Sequence, residues 1–512
     1  MTMKKRIALL LCIALAFSAS GCTGTPDLTI RTASTLPPAQ VQYAAPVSDA
    51  LMEHTQPVAL YLPARDGQRL LCQYEHLTLS HNQHAAEAVV RALITHPGNA
   101  SMRPLGDGVA ISLYGQNPVE TANGVCTVNL SASVLQLDLD DFYTVCLSLA
   151  TTLCELPDIH AVNVLVADQA VGMDISSILP LGCLTAHPGE SLPALWEQLL
   201  ARRTPLGENP ATVPTSASAA LYFPLSDGSG VIPETHTLSF PGQTPQQLAE
   251  VLLSALSSGA QYTAGTADMP NIASLLVYAP SASDLEGGGR LLTLRFIGDL
   301  EDRLAAAGVD MTCFVASVAQ TLLTFIPSIA AVDIYVGTTP LCSLYHDRVG
   351  SLLFDEGRVR RNAFSALLMD QVTLLLPCGD GLTAVQRAVR SSGAASPRTL
   401  VSLLFDGASP LDAALGCTSP APAGLLGSDI LGVTITGDTL LLNLSSRCAE
   451  AIRAMDDRSE QLLCYSIVNT LCAEKGVRRV LFFFDGAMAE SLGGSLYWGG
   501  EFMASPALIN QQ

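Results

Sequence analysis

The stretch ALYLPARDG at Ala59–Gly67 is written twice more, as ALYFPLSDG at Ala220–Gly228 and as TLLLPCGDG at Thr373–Gly381. Each copy joins a short apolar run to Pro-x-x-Asp-Gly. A reaction needs one site, whereas a scaffold of like units needs its opening strand and turn several times. The spacing therefore constrains the chain to a series of related units.

The first unit reads as a strand at Val58–Leu62, a turn at Asp66-Gly67 and a second strand at Arg69–Leu79. Helical spacing follows over Ala85–Ile94. GVAISLY and GVCTVNLS form a strand pair, Phe142–Leu156 an amphipathic helix, and Ala161–Val166 a closing strand. A shift of 170 carries Leu153 to Leu323, Pro157 to Pro327 and Ala161–Val166 to Ala331–Val336. A shift of 318 carries Cys146 to Cys464, Cys154 to Cys472 and the strand to Arg479–Phe484. The expected unit is β-β-α-β-β-α-β, an α+β layer with a small mixed sheet and two helices. It is expected over residues 57–173, 218–345 and 371–500. Residues 174–217 read as a linker and 346–370 as a connector. VGSLLFDEGRV and GGSLYWGGEF look alike and suggest an extra hairpin closing each late unit.

The first 22 residues pair Lys4, Lys5 and Arg6 with an apolar run, Ile7–Phe17, too short to span a bilayer. Ala19-Ser20-Gly21-Cys22 resembles the lipobox of bacterial lipoproteins, with Ala19 where that family prefers Leu. The resemblance implies acylation and cleavage at Cys22. A plain secretory leader cut nearby is the other reading. Residues 23–56, rich in Pro, Thr and Ala, read as a flexible stalk. The expected location is the outer face of the cytoplasmic membrane, held by lipid. Without the leader, 23 Lys and Arg face 46 Asp and Glu, a formal charge of −23, and Lys475 is the one lysine left. Such a surface repels phosphate backbones, which excludes nucleic acid as a partner.

Twelve cysteines remain beyond Cys12 and Cys22. Cys146/Cys154 and Cys464/Cys472 are spaced by eight, about 12 Å along a helix, beyond the ~7 Å between bridged Cα atoms. They read as reduced core cysteines, with bridges elsewhere left open.

Each unit resembles the GerMN domain, the sporulation and spore germination module of bacterial lipoproteins. The carrying segments are ALITHPGNA, VCTVNLS and AVNVLV in the first copy, and SLLFDGAS, LLLNLS and RVLFFF in the third. The second is divergent, with LLTLRFIG in place of the Asn-Leu-Ser ending. Asn129 and Asn443 stand where the family usually has Asp. The resemblance implies a ring-building-type fold, no catalytic residues, and assembly with envelope or sporulation proteins; relatives often carry two copies, so three is an unusual arrangement, and no metal or cofactor is expected.

His76, His81, His84 and Glu87 at the entry to the first helix could hold a metal or form a polar loop. Asp66, Asp227 and Asp380 read as turn residues before glycine. Leu137–Phe142 and Gly298–Arg303 are acidic runs that suit helix caps better than calcium. Asn129 and Asn443 fit a glycosylation sequon, but their matched strand-end places favour backbone architecture. Tyr497 and Trp498, set among glycines, read as core of a hairpin or as an exposed anchor for a sugar ring or partner. The function expected is a non-catalytic, lipid-anchored envelope scaffold in sporulation or germination. A peptidoglycan- or cortex-binding lipoprotein is the alternative. An envelope hydrolase ranks below both, because the copies share no paired carboxylates, nucleophile or base.

Overall fold

The computed structural model describes residues 43–49, 54–79, 85–106, 108–172, 179–205, 207–285, 288–391 and 396–510. Cys22, His81 and His84 lie outside the described residues. The first repeat opens with a hairpin of β1 (His54–Pro63) and β2 (Leu70–Leu79), followed by α1 (Ala85–Thr95). A sheet of β3 (Val119–Ala122), β4 (Val125–Leu130), β5 (Ala161–Val166) and β6 (Gln169–Ala170) comes next, with α2 (Leu139–Leu153) between β4 and β5. Strands β4 and β5 run parallel, and such a pair needs a crossover, which α2 supplies. Both strands are buried along their whole length, so they read as unbroken apolar runs and not as alternating ones.

The second repeat follows α3 (Leu192–Leu200). It has the hairpin β7 (Thr215–Pro224) and β8 (Val231–Phe240), then α4 (Pro245–Ser257) and α5 (Ile272–Leu275). Four strands of its five-stranded sheet are β9 (Ser281–Asp284), β10 (Arg290–Phe296), β11 (Ile329–Val336) and β12 (Thr339–Pro340). Helices α6 (Leu300–Ala306) and α7 (Met311–Phe325) cross between the parallel strands β10 and β11. A small hairpin, β13 (Ser343–His346) with β14 (Gly350–Leu353), precedes β15 (Arg358–Val359).

The third repeat has the hairpin β16 (Met369–Cys378) and β17 (Gly381–Arg390), then α8 (Pro397–Asp406) and α9 (Pro410–Ala414). Its sheet is β18 (Ile430–Thr436), β19 (Thr439–Leu444), β20 (Arg479–Phe484) and β21 (Phe502–Met503). Helices α10 (Ser446–Arg453) and α11 (Asp457–Lys475) cross between β19 and β20. The fold class is α+β, as the patterning indicates. The main hydrophobic cores follow the repeats, but Val125 and Ala161 of the first repeat pack into the second core.

A recurring polar device holds each hairpin to its long helix. The free edge of the hairpin would leave a buried N–H and C=O without partners, a costly arrangement. Thr152, Thr321 and Thr470 accept the N–H of Tyr61, Tyr222 and Leu375 through Oγ1, at 2.9, 3.0 and 3.0 Å. One turn earlier, the Ser317 hydroxyl donates to Tyr222 O at 2.5 Å, and that of Ser466 donates to Leu375 O. The helix thus stands in for a third strand. Thr152 and Thr321 hold the same place, so the helix register is a shift of 169. Leu153 therefore matches Leu322, not Leu323, and the extra residue falls between Leu322 and Pro327. Thr321→Val, which keeps shape but strands the Tyr222 N–H, is expected to cost about 1–3 kcal/mol, read from the urea midpoint.

The residue before each threonine fastens the segment that closes the repeat. Thr151 Oγ1 accepts from His187 N, and Gln320 Nε2 donates to Arg361 O. Asn469 makes a paired contact with the Ser505 backbone, 2.7 Å to its N and 3.2 Å to its O. These closing segments bridge to the matching strand positions Val162, Val332 and Val480, through Leu184, Val359 and Phe502. Much of the expected linker is therefore built in. Leu184 pairs with β5, and α3 buries Leu192, Leu195 and Leu199 in the first core.

The far end of the expected stalk is docked as well. Asp49 accepts from Arg398 Nη2 at 2.7 Å and from Val433 N at 3.1 Å, and Pro46 O accepts from Asn443 Nδ2 at 2.9 Å. Gly432 permits this approach, since a Cβ there would sit 2.4 Å from Pro46 O. Ala45–Gln512 forms a single compact unit.

Candidate functional site

The three repeats meet at the β3–β4 turn. Asn123-Gly124 takes left-handed backbone, φ 46° and 76°, the form of a tight hairpin turn that Asn-Gly favours. Asn123 N donates to Asp370 Oδ1 of the third repeat at 3.0 Å. Its Nδ2 donates to Pro233 O at 2.8 Å and Thr263 Oγ1 at 3.1 Å, both in the second repeat. A cleft of about 300 Å³ opens beside this joint, lined by Asp158, His160, Asp370, Glu474 and Lys475.

Two of the acids at the joint have fastening roles. Asp370 Oδ1 also accepts from Gln371 N, and Glu474 Oε1 accepts from Thr373 N at 2.6 Å. Burial raises Asp370 above the usual carboxylate range, and Asp158 and Glu474 add to the rise against those backbone donors. Burial likewise lowers the Lys475 ammonium, opposed by Glu474, Asp158 and Asp370. Nearby, Glu234 accepts from Gln261, Tyr262 and Thr263 N–H groups and pairs with His236 at 2.9 Å. Burial pushes Glu234 up, but the bonds from Thr263, Gln261, Tyr262 and His236 outweigh it and the net direction is down.

These two acids act oppositely with pH. Glu234, lowered on folding, adds stability above its unfolded pKa of about 4.3, and that stability is lost as pH falls through its folded value. Asp370, raised on folding, costs stability while ionised, and the cost is relieved as pH falls through its folded value. Asp370→Asn keeps an acceptor oxygen for Asn123 and Gln371 and removes the charge. It is expected to raise stability at pH 7 by about 0.5–1.5 kcal/mol, and the gain should shrink toward pH 4. A loss at pH 7 in thermal melts would contradict this.

A buried ion pair links the first two repeats. Arg361 Nη1 lies 2.6 Å from Glu120 Oε2, with both side chains nearly inaccessible. The Arg361 Nε–H donates to Thr324 Oγ1 at 3.1 Å. Glu120, Asn123, Glu234, Arg361 and Asp370 carry the joint, and none was legible as a site in the sequence.

The sequence-derived candidates fall elsewhere. Trp498 is 0% exposed and sits among Phe482, Phe484 and Phe502, with its Nε1–H donating to Glu460 Oε1 at 2.8 Å. It offers no face for stacking on a ligand. Tyr497 is 63% exposed. The region forms no hairpin like β13–β14, because Trp498 turns inward. His76 is an exposed strand residue opposite Pro57, and Glu87 pairs with Arg91 at 2.6 Å. Asp66 and Asp227 cap their turns by accepting from Gln68 and Ser229 N–H groups. The third turn is different: Cys378 pairs with Gly381, so Gly379-Asp380 is a two-residue turn. Asn129 and Asn443 are buried and bind backbone: Asn129 Oδ1 accepts from Asp168 N, and Asn443 Oδ1 from Gly486 N. The acidic run Leu137–Phe142 caps α2 through Asp138, which accepts from Asp141 N.

One further cluster, Asp310, Cys313 and His346, brings three ligand-type atoms within 4.8 Å of one another. Arg348 N donates to His346 Nδ1, so Nε2 carries the proton and donates to Gly228 O at 2.8 Å. A ligating histidine needs the reverse arrangement, with its second nitrogen donating outward. Burial, then the Asp310 charge, push the Cys313 thiol far up, opposite to what a nucleophile or metal ligand needs. The trio therefore fits a buried structural cluster that braces the Asp227-Gly228 turn. The geometry at the joint suits fastening, not bond-making.

Residues 378–490 match the Germane family, described as sporulation and spore germination. The match falls on the third repeat. No curated protein matches the chain. Among solved structures, the tandem GerMN domains of the sporulation protein GerM from Bacillus subtilis are similar at 15% identity. That likeness covers 58% of this chain and 100% of that one, with a TM-score of 0.22. A putative lipoprotein from Clostridium perfringens is similar at 21% identity over 26% of this chain and 87% of that one, with a TM-score of 0.19. Among the described residues, no single helix is long and apolar enough to cross a membrane.

Proposed function

We propose that this protein is a non-catalytic envelope scaffold acting in sporulation or spore germination, lipid-anchored at Cys22 on the outer face of the cytoplasmic membrane. The Germane match over residues 378–490 carries the reading. The joint at Asn123 supports the scaffold part: it holds three hairpin-bearing repeats in one body, so partner proteins meet a fixed array of surfaces. The buried position of Trp498 removes the main residue on which a cortex-binding role would rest.

Two measurements test the proposal. The wild-type protein is expected in the membrane fraction, with Cys22→Ala released from it. Crosslinking in living cells is expected to capture envelope proteins during sporulation and not during growth. A freely soluble wild-type product, identical capture in both states, or turnover on cortex fragments would overturn it.

A further inference from the structure

Cys378 ends β16, and Cys417 lies just beyond α9. The two residues form an antiparallel bridge, flanked by a hydrogen bond from Thr418 N to Pro377 O of 2.8 Å. That bond places Cys378 and Cys417 opposite one another at a position without hydrogen bonds of its own. At such positions opposed Cα atoms stand about 4.5 Å apart and the side chains leave on the same face. A disulfide spans Cα separations of about 4.4–6.8 Å. Among the described cysteines, no other two are opposed in this way.

We infer that Cys378 and Cys417 are a reversible redox pair that closes to a disulfide when the protein meets an oxidising small-molecule disulfide. Cys378 is half-buried and Cys417 buried, so Cys378 reaches the oxidant first. Its thiolate, having lost its proton to water, displaces one thiolate from the oxidant and forms a mixed disulfide. The Cys417 sulfur, deprotonated in turn, attacks the Cys378 sulfur and expels the second thiolate. Two protein thiols are oxidised, one oxidant disulfide is reduced to two thiols, and the protons are taken up by them. The bond closes a loop of about forty residues holding β17, α8 and α9, at the start of the Germane-matched segment. Export to an oxidising compartment would then tighten the third repeat, independently of any partner.

The test treats the full chain with oxidised glutathione, blocks remaining thiols with N-ethylmaleimide, and maps peptides by mass spectrometry. The expected product links Cys378 to Cys417, is about 2 Da lighter, and melts roughly 5–10 °C higher. Dithiothreitol should reverse both changes. Cys417→Ser should instead retain a glutathione adduct on Cys378, with no rise in melting temperature. A persistent adduct on Cys378 in the wild type, linkage to other cysteines, or recovery of both residues as alkylated thiols would overturn the inference.

Discussion

Trp498→Ala is expected to lower stability by about 3–5 kcal/mol, read as a fall in the urea midpoint. The indole fills a pocket bounded by Phe482, Phe484 and Phe502, with ring centroids 5.0–5.6 Å away. Truncation leaves a cavity that these aromatics, held by β20 and β21, cannot close. It also removes the indole donor from Glu460, a carboxylate only 1% exposed. Trp498→Phe separates the two effects: it retains most of the volume and loses the N–H. The loss expected there is about 1.5–3 kcal/mol, as for a hydrogen bond to a charged acceptor. A midpoint unchanged by the alanine variant would contradict the burial of this side chain.

Arg361→Met is expected to cost about 3–5 kcal/mol, because it leaves Glu120 buried without its cation. The double variant Glu120→Leu with Arg361→Met should be less destabilised than Arg361→Met alone, since replacing both charges removes the desolvation burden. That reversal distinguishes a buried pair from ordinary packing by the arginine stem. Burial opposes the Arg361 charge, but Glu120 outweighs it and holds the guanidinium firmly protonated, so the effect should hardly vary across neutral pH. Equal losses in single and double variants would show that the pair does not couple the repeats.

Most strands and helices were legible because each unit repeats its own apolar pattern; GVAISLY is the exception, since it makes only an isolated bridge at Leu113 and the partner of β4 is β3. Ala161–Val166 coincides with β5, and Ala85–Ile94 falls within α1. The helix slip of one residue came from that same signal: neighbouring leucines at 322 and 323 are interchangeable to an apolar template. The polar motif Ser-x-x-x-Thr at Ser148/Thr152, Ser317/Thr321 and Ser466/Thr470 would have fixed the register, since only one alignment superposes all three. The joint was illegible for another reason. Asn123 and Asp370 are 247 residues apart and neither belongs to a repeated phrase. Trp498 was ambiguous because glycines on either side suit an exposed tip and a tightly packed chain equally well. The glycine at 494 serves packing: a Cβ there would meet the Glu460 carboxylate.

The docking of Pro46 and Asp49 against Gly432, Val433 and Arg398 has a mechanical corollary. Were Cys22 to carry acyl chains, the leash from it to Pro46 could extend about 80 Å at most. Tension along it would reach the body first through the Pro46–Asn443 contact and the Asp49–Arg398 clasp, and only then through the opening strand. The last-synthesised module, and not the first, would bear the load of tethering.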